Sequence, residues 1–149
     1  MSDAFTLRRY RKADEDAAIE LWRRSWQLAY PDIDFSARLA WWRTRWRDEL
    51  VPKAKIVVAE RDGTLTGFVT IDATGYLDQI VVAPEAQGTP LATILIDEAK
   101  MLSPDGITLL VNTDNARAIR FYEKNGFRHD GEDVNPTSGR KVLRMVWGR

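Results

Sequence analysis

The sequence contains no cysteine and a single histidine, His129. A chain without thiols cannot form a disulfide framework, a zinc-thiolate centre or a thiolate nucleophile, and it suits a reducing compartment. One histidine also excludes a multi-histidine metal site, so we predict no metal. A Ser-His-Asp relay would have to use His129, which is more simply interpreted as a partly exposed residue near the start of a strand.

The sequence also lacks an excess of charge and a long apolar run. Lys plus Arg and Asp plus Glu number 22 each, so no net field attracts the chain to nucleic acid or to an anionic membrane. Residues 41–47 combine tryptophan with arginine, as nucleic-acid sites do, but an amphipathic core helix explains them more simply. The opening residues are too charged for a signal peptide, and no segment has the apolar length of a membrane span. We therefore expect a cytoplasmic protein with no nucleic-acid or membrane partner.

What is present is an alternation of strand and helix patterns that fits one domain, residues 1–149. Apolar stripes at helical spacing predict helices at 14–31, 35–50, 91–102 and 115–125. Runs rich in β-branched and aromatic residues predict strands at 6–11, 55–60, 65–72, 76–82, 107–111, 127–134 and 141–147. A helix between strands 76–82 and 107–111 forms a crossover that makes them parallel. The fold class is therefore α/β, a mixed sheet of about seven strands with about four helices.

The chain passes from a strand to a helix through small residues at 82–92. A helix start carries unpaired N–H groups and a positive dipole end, which suit a phosphate group. Many such turns bind nothing, so this feature indicates an anion site only in combination with another signal.

That second signal lies at residues 115–127, which read N-x-x-A-x-x-F-Y-x-x-x-G-F. Here the sequence resembles the GNAT N-acetyltransferase superfamily. The preceding loop is similar to the coenzyme A signature of that family, with Gln87 and Ala92 at its outer positions, although Pro90 replaces the central glycine. Softer matches near both ends extend the resemblance over nearly the whole chain.

The resemblance implies that the parallel strands splay apart and hold acetyl-CoA between them. The residues it assigns to the cofactor are Ile80, Val81, Val82, Gln87, Gly88, Thr89, Pro90, Leu91, Ala92, Thr93 and Asn115. Proline has no N–H to donate, so the amides of Gly88, Thr89, Leu91 and Ala92 remain as donors and binding should be weakened or adjusted. The Asn115 side chain either caps its helix or contacts the cofactor, or does both.

The same resemblance implies that Tyr122 protonates the leaving thiolate, since a phenol stays protonated at neutral pH. The alternative is an aromatic residue that only packs on the sheet. The general base is missing, because some relatives place a glutamate at the position of Tyr76 and others at that of Leu110. Asp78 is our candidate base. A surface role for Asp78, an ordered water or an acceptor that arrives neutral are the alternatives.

We therefore predict an acetyl-CoA-dependent N-acyltransferase that acetylates a primary amine, either a small molecule or a peptide or protein N-terminus. The alternative is a GNAT-like coenzyme A-binding or regulatory module that has lost turnover, suggested by Pro90 and the missing glutamate. The aromatic residues proposed to line the acceptor site are Trp26, Tyr30, Trp41 and Trp42. An exposed part of the second helix is the candidate face for a homodimer.

Overall fold

The computed structural model describes residues 4–136 and 138–148, which contain seven strands in two antiparallel sheets. The strands are β1 (Thr6–Arg9), β2 (Ala54–Arg61), β3 (Thr64–Asp72), β4 (Leu77–Val82), β5 (Gly106–Asn112), β6 (Arg128–Val134) and β7 (Lys141–Gly148). One sheet has the order β1-β2-β3-β4, and the other has the order β5-β7-β6. The mixed α/β fold predicted from the sequence is confirmed, and each of the seven predicted strands is present.

The helices are α1 (Glu15–Ala29), α2 (Leu39–Arg45), α3 (Val51–Lys53), α4 (Leu91–Leu102) and α5 (Ala116–Lys124). A π-helical turn, Trp46–Leu50, joins α2 to α3, so the second helical region runs three residues beyond the predicted end. Pro52 lies in the last turn of this region, and the chain leaves helical geometry two residues later, at Ala54.

The helices cover both faces of the first sheet. A Cβ atom on Gly67 of β3 would meet Leu91 and Leu95 of α4, whereas the ring of the next residue, Phe68, packs on Trp46 with centroids 5.2 Å apart. Successive side chains of a strand point to opposite faces. Helix α4 therefore lies on one face, and α1 and α2, which pack against each other, lie on the other.

The two sheets touch at one end. Tyr76 and Thr108 form a single parallel bridge, and the Thr108 N–H donates to the Gly75 carbonyl at 2.9 Å. Gly75 has φ +86°, and a Cβ atom there would lie 2.6 Å from the Gly106 carbonyl oxygen, so only glycine permits this approach. Over the described residues no pairing joins β4 to β5 beyond the bridge. The predicted splayed parallel pair is therefore confirmed.

Strand β4 carries a β-bulge where the gap opens. Gln79 pairs with Thr70 and Leu77 pairs with the next residue, Ile71, so Asp78 is an extra residue in β4. The side chains of Asp78 and Gln79 both contact residues of the α1 and α2 layer. The bulge thus places two adjacent polar side chains on the same face of the sheet.

Candidate active site

Over the described residues, the edge of β4 that faces the gap presents backbone groups that pair with no neighbouring strand beyond the Tyr76 bridge. The Ala83 N–H donates to the carbonyl of Thr66 on β3 at 2.8 Å. Backbone groups alternate in direction along an antiparallel strand, so Val81 points toward β3, whereas Ile80 and Val82 point into the gap. Of the three residues predicted to contact the cofactor through their backbone, Ile80 and Val82 thus have the required orientation.

The loop between β4 and α4 closes one end of the gap. It begins with a 3-10 turn, Pro84–Ala86, and the Gln87 side-chain amide donates back to the Val82 carbonyl at 3.3 Å. Gly88 follows with φ +81°. Pro90 stands just before α4, and its carbonyl accepts the first helical hydrogen bond, from Ile94 at 3.0 Å.

The N–H groups of this loop differ in availability. That of Thr89 donates to the Ala86 carbonyl, and that of Leu91 donates to the Thr89 hydroxyl oxygen, both at 3.3 Å. Within 4–136 and 138–148, no internal acceptor is found for the N–H groups of Gly88, Ala92 and Thr93. Of the four N–H groups expected to be donors, those of Gly88 and Ala92 are thus free, whereas those of Thr89 and Leu91 are occupied. The N–H of Thr93 is a further free donor.

We expect Pro90→Gly to bind coenzyme A at least about tenfold more tightly, because it adds an N–H beside these free donors, and a hydrogen bond to a charged group contributes about 1.5–3 kcal/mol. Pro90 is exposed, and glycine is accepted at a helix N-cap, so the helix start should persist. Titration calorimetry with coenzyme A measures the change. Pro90→Ala, which also adds an N–H, should share the gain, and unchanged affinity in both variants would contradict the prediction.

Helix α5 carries Tyr122. The Asn115 side-chain oxygen accepts from the Ala118 N–H at 3.2 Å, so the predicted cap is confirmed. Lys100 of α4 donates to the Asn125 carbonyl at the other end of α5, at 2.6 Å. Helix α5 is therefore held at both ends, and it lies beside α4 on the face of the molecule opposite α1.

Tyr122 is 8% exposed and lies between two aromatic rings, with centroids 5.4 Å from Phe121 and 5.6 Å from Phe127. Burial raises the pKa of its phenol, so the group is protonated at neutral pH. Among the described residues, the fully buried side-chain polar atoms that lack a partner are Arg8 Nε and Trp42 Nε1. The Tyr122 hydroxyl, for which no protein partner is found in that part of the chain, is not one of them. It therefore retains access to space outside the protein interior.

Asp78 is held by Arg45 of α2, on the face of the first sheet that α1 and α2 cover. Its two carboxylate oxygens accept from the two terminal nitrogens of Arg45, one of them at 3.0 Å. The Gln79 side chain donates to the same carboxylate at 3.0 Å. These contacts occupy most of the positions at which the carboxylate could accept a proton from an amine. The base role of Asp78 stays a prediction, and its contacts favour a role in fixing the bulge.

An aromatic pair on α1 lies across the gap. The rings of Trp26 and Tyr30 are stacked at 5.8 Å with 16° between their planes. The Trp26 indole N–H is 3.4 Å from the Gln79 side-chain oxygen on β4, and the Tyr30 hydroxyl accepts from the Asn112 side chain on β5 at 2.9 Å. The two predicted acceptor-lining residues thus connect the separated strands on the α1 side.

The Tyr30 hydroxyl has a second polar partner. It donates to the Asp114 carboxylate at 2.9 Å. Arg140, from the connection between β6 and β7, donates to the other oxygen of Asp114 at 3.2 Å and lies 4.8 Å above the Tyr30 ring. No sequence pattern singles out Asn112, Asp114 or Arg140, although Asp114 directly precedes the 115–127 motif.

The remaining aromatic candidates divide between core and surface. Trp42 is 1% exposed and stacks on Trp22 at 4.6 Å, so the expectation that it lines the acceptor site is wrong. Trp41 is 45% exposed, and a role in the acceptor site or in a homodimer stays a prediction.

The charged residues of the second helical region pair with carboxylates of the same chain. Arg43 and Arg47 both contact Glu15 at 2.6 Å, which accounts for the mixture of arginine and tryptophan at 41–47. His129 lies on exposed strand β6 with its ring nitrogen 3.1 Å from Glu123, in agreement with the simpler interpretation of this residue.

Comparison with known proteins identifies the family to which the chain belongs. The Acetyltransferase (GNAT) family profile matches residues 15–127, so the chain belongs to that family. It is an acetyl-CoA-dependent N-acetyltransferase.

Particular relatives resemble most of the chain. It is 29% identical to the peptidyl-lysine N-acetyltransferase YjaB of Salmonella typhimurium, over 95% of this chain and 97% of that protein. It is 31% identical to the peptidyl-lysine N-acetyltransferase YiaC of Escherichia coli, with 81% and 82% covered. The fold matches that of the PaiA N-acetyltransferase of Thermoplasma acidophilum in complex with coenzyme A, with a TM-score of 0.77, 21% identity, and 98% and 99% of the two chains covered.

In the part of the chain that the structure describes, no helix is long and apolar enough to cross a bilayer.

Proposed function

We propose that this acetyltransferase modifies the ε-amino group of lysine in a peptide or protein. The observation that carries the proposal is the similarity, over 95% of this chain, to a protein named as a peptidyl-lysine N-acetyltransferase. The geometry supports it, because the α1 side of the gap combines stacked aromatic rings with the exposed carboxylate of Asp114. Aromatic faces and carboxylates attract an ammonium group and accommodate the alkyl part of a lysine side chain.

Acetyl-CoA would lie in the gap between β4 and β5. Its pantetheine arm would pair with the backbone of Ile80 and Val82, and its phosphates would accept from the free N–H groups of Gly88, Ala92 and Thr93. Asn115, whose side-chain oxygen is used as a cap, keeps its amide nitrogen for a ligand. This placement is supported by the unpaired edge of β4 and by the dipole at the start of α4.

The reaction would use the two faces of the molecule for different steps. The amine approaches from the α1 side and attacks the thioester carbon, and a β4 N–H stabilises the negative charge that develops on the carbonyl oxygen. The thiolate leaves toward the α4 and α5 side and takes a proton from Tyr122. Separation of these steps is supported by the position of Tyr122, which lies on the face opposite the aromatic pair.

The test compares acceptors under identical conditions. Thiol release from acetyl-CoA is followed with a peptide that has a blocked N-terminus and one lysine, a peptide with a free N-terminus and no lysine, and a panel of small amines. We expect the lysine peptide to give the highest kcat/KM, with the added acetyl group located on Nε by mass spectrometry. Preference for a free N-terminus or a small amine would overturn the choice of acceptor. Binding of acetyl-CoA without thiol release in the presence of any of these amines would instead support the non-catalytic module.

A further inference from the structure

The reaction requires a group that takes a proton from the attacking amine. Nitrogen becomes positively charged when it adds to the thioester carbon, and the intermediate collapses to amide only after losing a proton. The side chains at Tyr76 and Leu110 supply no carboxylate, and that of Asp78 is held by Arg45 and Gln79. The proton acceptor should therefore be sought elsewhere on the α1 side of the gap.

We propose that Tyr30 and Asp114 act together as this proton acceptor, with the Tyr30 hydroxyl as the group that contacts the amine. The proposal rests on the acetyl transfer described above. The geometry that points to it is a chain of two hydrogen bonds, from Asn112 to Tyr30 at 2.9 Å and from Tyr30 to Asp114 at 2.9 Å.

The hydrogen bonds around the Tyr30 hydroxyl fix the direction in which its proton can move. A phenolic oxygen has one proton and two lone pairs. The proton is donated to Asp114, and Asn112 occupies one lone pair. The second lone pair is free to accept from an ammonium N–H that approaches from the gap.

Asn112 also defines where this lone pair lies. It is the last residue of β5, four residues beyond Thr108, at which β5 touches β4. At a rise of about 3.3 Å per residue, Asn112 lies roughly 13 Å along β5 from the bridge. The Tyr30 hydroxyl is therefore held in the part of the gap where β4 and β5 have separated. Trp26, stacked on Tyr30 and within reach of Gln79 on the β4 bulge, holds the ring over the opening.

The protonation state of Tyr30 suits a relay and not a phenolate base. Burial raises the pKa of its phenol, which outweighs the lowering by the Asn112 hydrogen bond, and the charged groups acting on it are Asp114 and Arg140. Asp114 is 60% exposed on its side chain, so a proton that reaches it can pass to solvent. Arg140 contacts only the other oxygen of Asp114 and leaves the oxygen that faces Tyr30 available.

The transfer moves two protons on the Tyr30 side of the gap and one on the Tyr122 side. The amine nitrogen forms a bond to the thioester carbon, and the carbonyl π electrons move to oxygen. One nitrogen proton passes to the Tyr30 oxygen while the phenolic proton passes to Asp114. The carbonyl re-forms, the C–S bond breaks with its electron pair on sulfur, and the thiolate takes a proton from Tyr122. Solvent then removes the proton from Asp114 and restores that of Tyr122.

The test uses whichever amine the wild-type protein acetylates fastest, so it can be done even if lysine is the wrong acceptor. We expect Tyr30→Phe and Asp114→Asn each to lower kcat by about 100-fold, with unchanged acetyl-CoA affinity, and the double variant to be no slower than the worse single variant. In mixtures of H2O and D2O the wild-type rate should follow a curved dependence on deuterium fraction, since two protons move together. Tyr30→Phe should give a linear dependence.

Tyr10→Phe is the matched control, because it also removes a hydrogen-bonded tyrosine hydroxyl on the same face, one that accepts from the Trp46 indole N–H at 3.0 Å. Its kcat should equal that of the wild type. A wild-type rate in Tyr30→Phe would overturn the relay. So would a slow Tyr30→Phe that keeps the curved isotope dependence, since Tyr30 would then only position the acceptor.

Discussion

Tyr122→Phe will lower kcat by about 100-fold while leaving the affinity for acetyl-CoA unchanged, because general acid catalysis by a positioned group typically contributes about 10²–10⁴-fold. The variant removes one hydroxyl and keeps the ring that packs against Phe121 and Phe127. Single-turnover thiol release together with calorimetric titration of acetyl-CoA separates the two effects. Wild-type turnover in Tyr122→Phe would remove this residue from the mechanism.

The pH dependence gives an independent check on Tyr122. The amine reacts only when neutral, so activity should rise with pH until the acceptor is deprotonated. Tyr122 must be protonated, and burial raises its pKa above the ordinary value of about 10, so it causes no loss of activity below about pH 10.

Phe127→Leu serves as the packing control for Tyr122→Phe, because it disturbs the same ring contact without touching the hydroxyl. We expect it to reduce stability and to change kcat by less than about threefold.

Arg45→Met and Asp78→Asn will both lower stability, and Arg45→Met will do so more. Loss of the arginine leaves the Asp78 carboxylate, 14% exposed on its side chain, without its cation, which should cost about 2–3 kcal/mol. Asp78→Asn removes the charge as well as the pair and should cost less. Urea unfolding at neutral pH measures both values.

The kinetics of the same two variants decide what Asp78 does. If the pair fixes the β4 bulge, both variants should lose a similar factor in kcat, about tenfold, because a displaced oxyanion donor weakens stabilisation of the transition state. If Asp78 is the base, Asp78→Asn should lose at least about 100-fold and Arg45→Met much less. We expect the first result.

Arg8→Met is the matched control for Arg45→Met. Arg8 of β1 and Asp14 form a bidentate pair, both contacts at 2.8 Å, at the edge of the first sheet farthest from β4 and the gap. That variant should lose comparable stability and keep wild-type kcat. A similar loss of kcat in it would show that the Arg45 result reflects stability alone.

The fold could be predicted from the sequence because its signals are local. Apolar stripes marked α1, α4 and α5, and the Asn115 cap and Gly126 fixed the ends of α5. The crossover through α4 determined that β4 and β5 run parallel. The π-helical turn at Trp46–Leu50 had no such signal, because its apolar pattern is that of an ordinary helix.

The candidate site could be assembled from the sequence only in part, because some of its residues are far apart along the chain. The loop at 87–93 and Tyr122 lie in contiguous motifs, whereas Tyr30, Asn112 and Arg140 meet through contacts between residues up to 110 positions apart. Asp78 looked like an available carboxylate because its partner Arg45 lies 33 residues away. The burial of Trp42 was likewise invisible, since Trp41 and Trp42 are chemically identical and only tertiary packing distinguishes them.

The two sheets are in close contact at Gly75 and Gly106, at the closed end of the gap. A small rotation of β4 at this end would therefore produce a larger displacement at its other end. The far end of β4 is six residues, or about 20 Å, from the Tyr76 bridge, so a rotation of about 5° there would move Val82 by nearly 2 Å. A bulky side chain at Gly75 would force such a rotation, since its Cβ alone would lie 2.6 Å from the Gly106 oxygen. Mutations at Gly75 should therefore displace the backbone of Ile80 and Val82, where we propose that acetyl-CoA binds, although Gly75 lies at the opposite end of the gap.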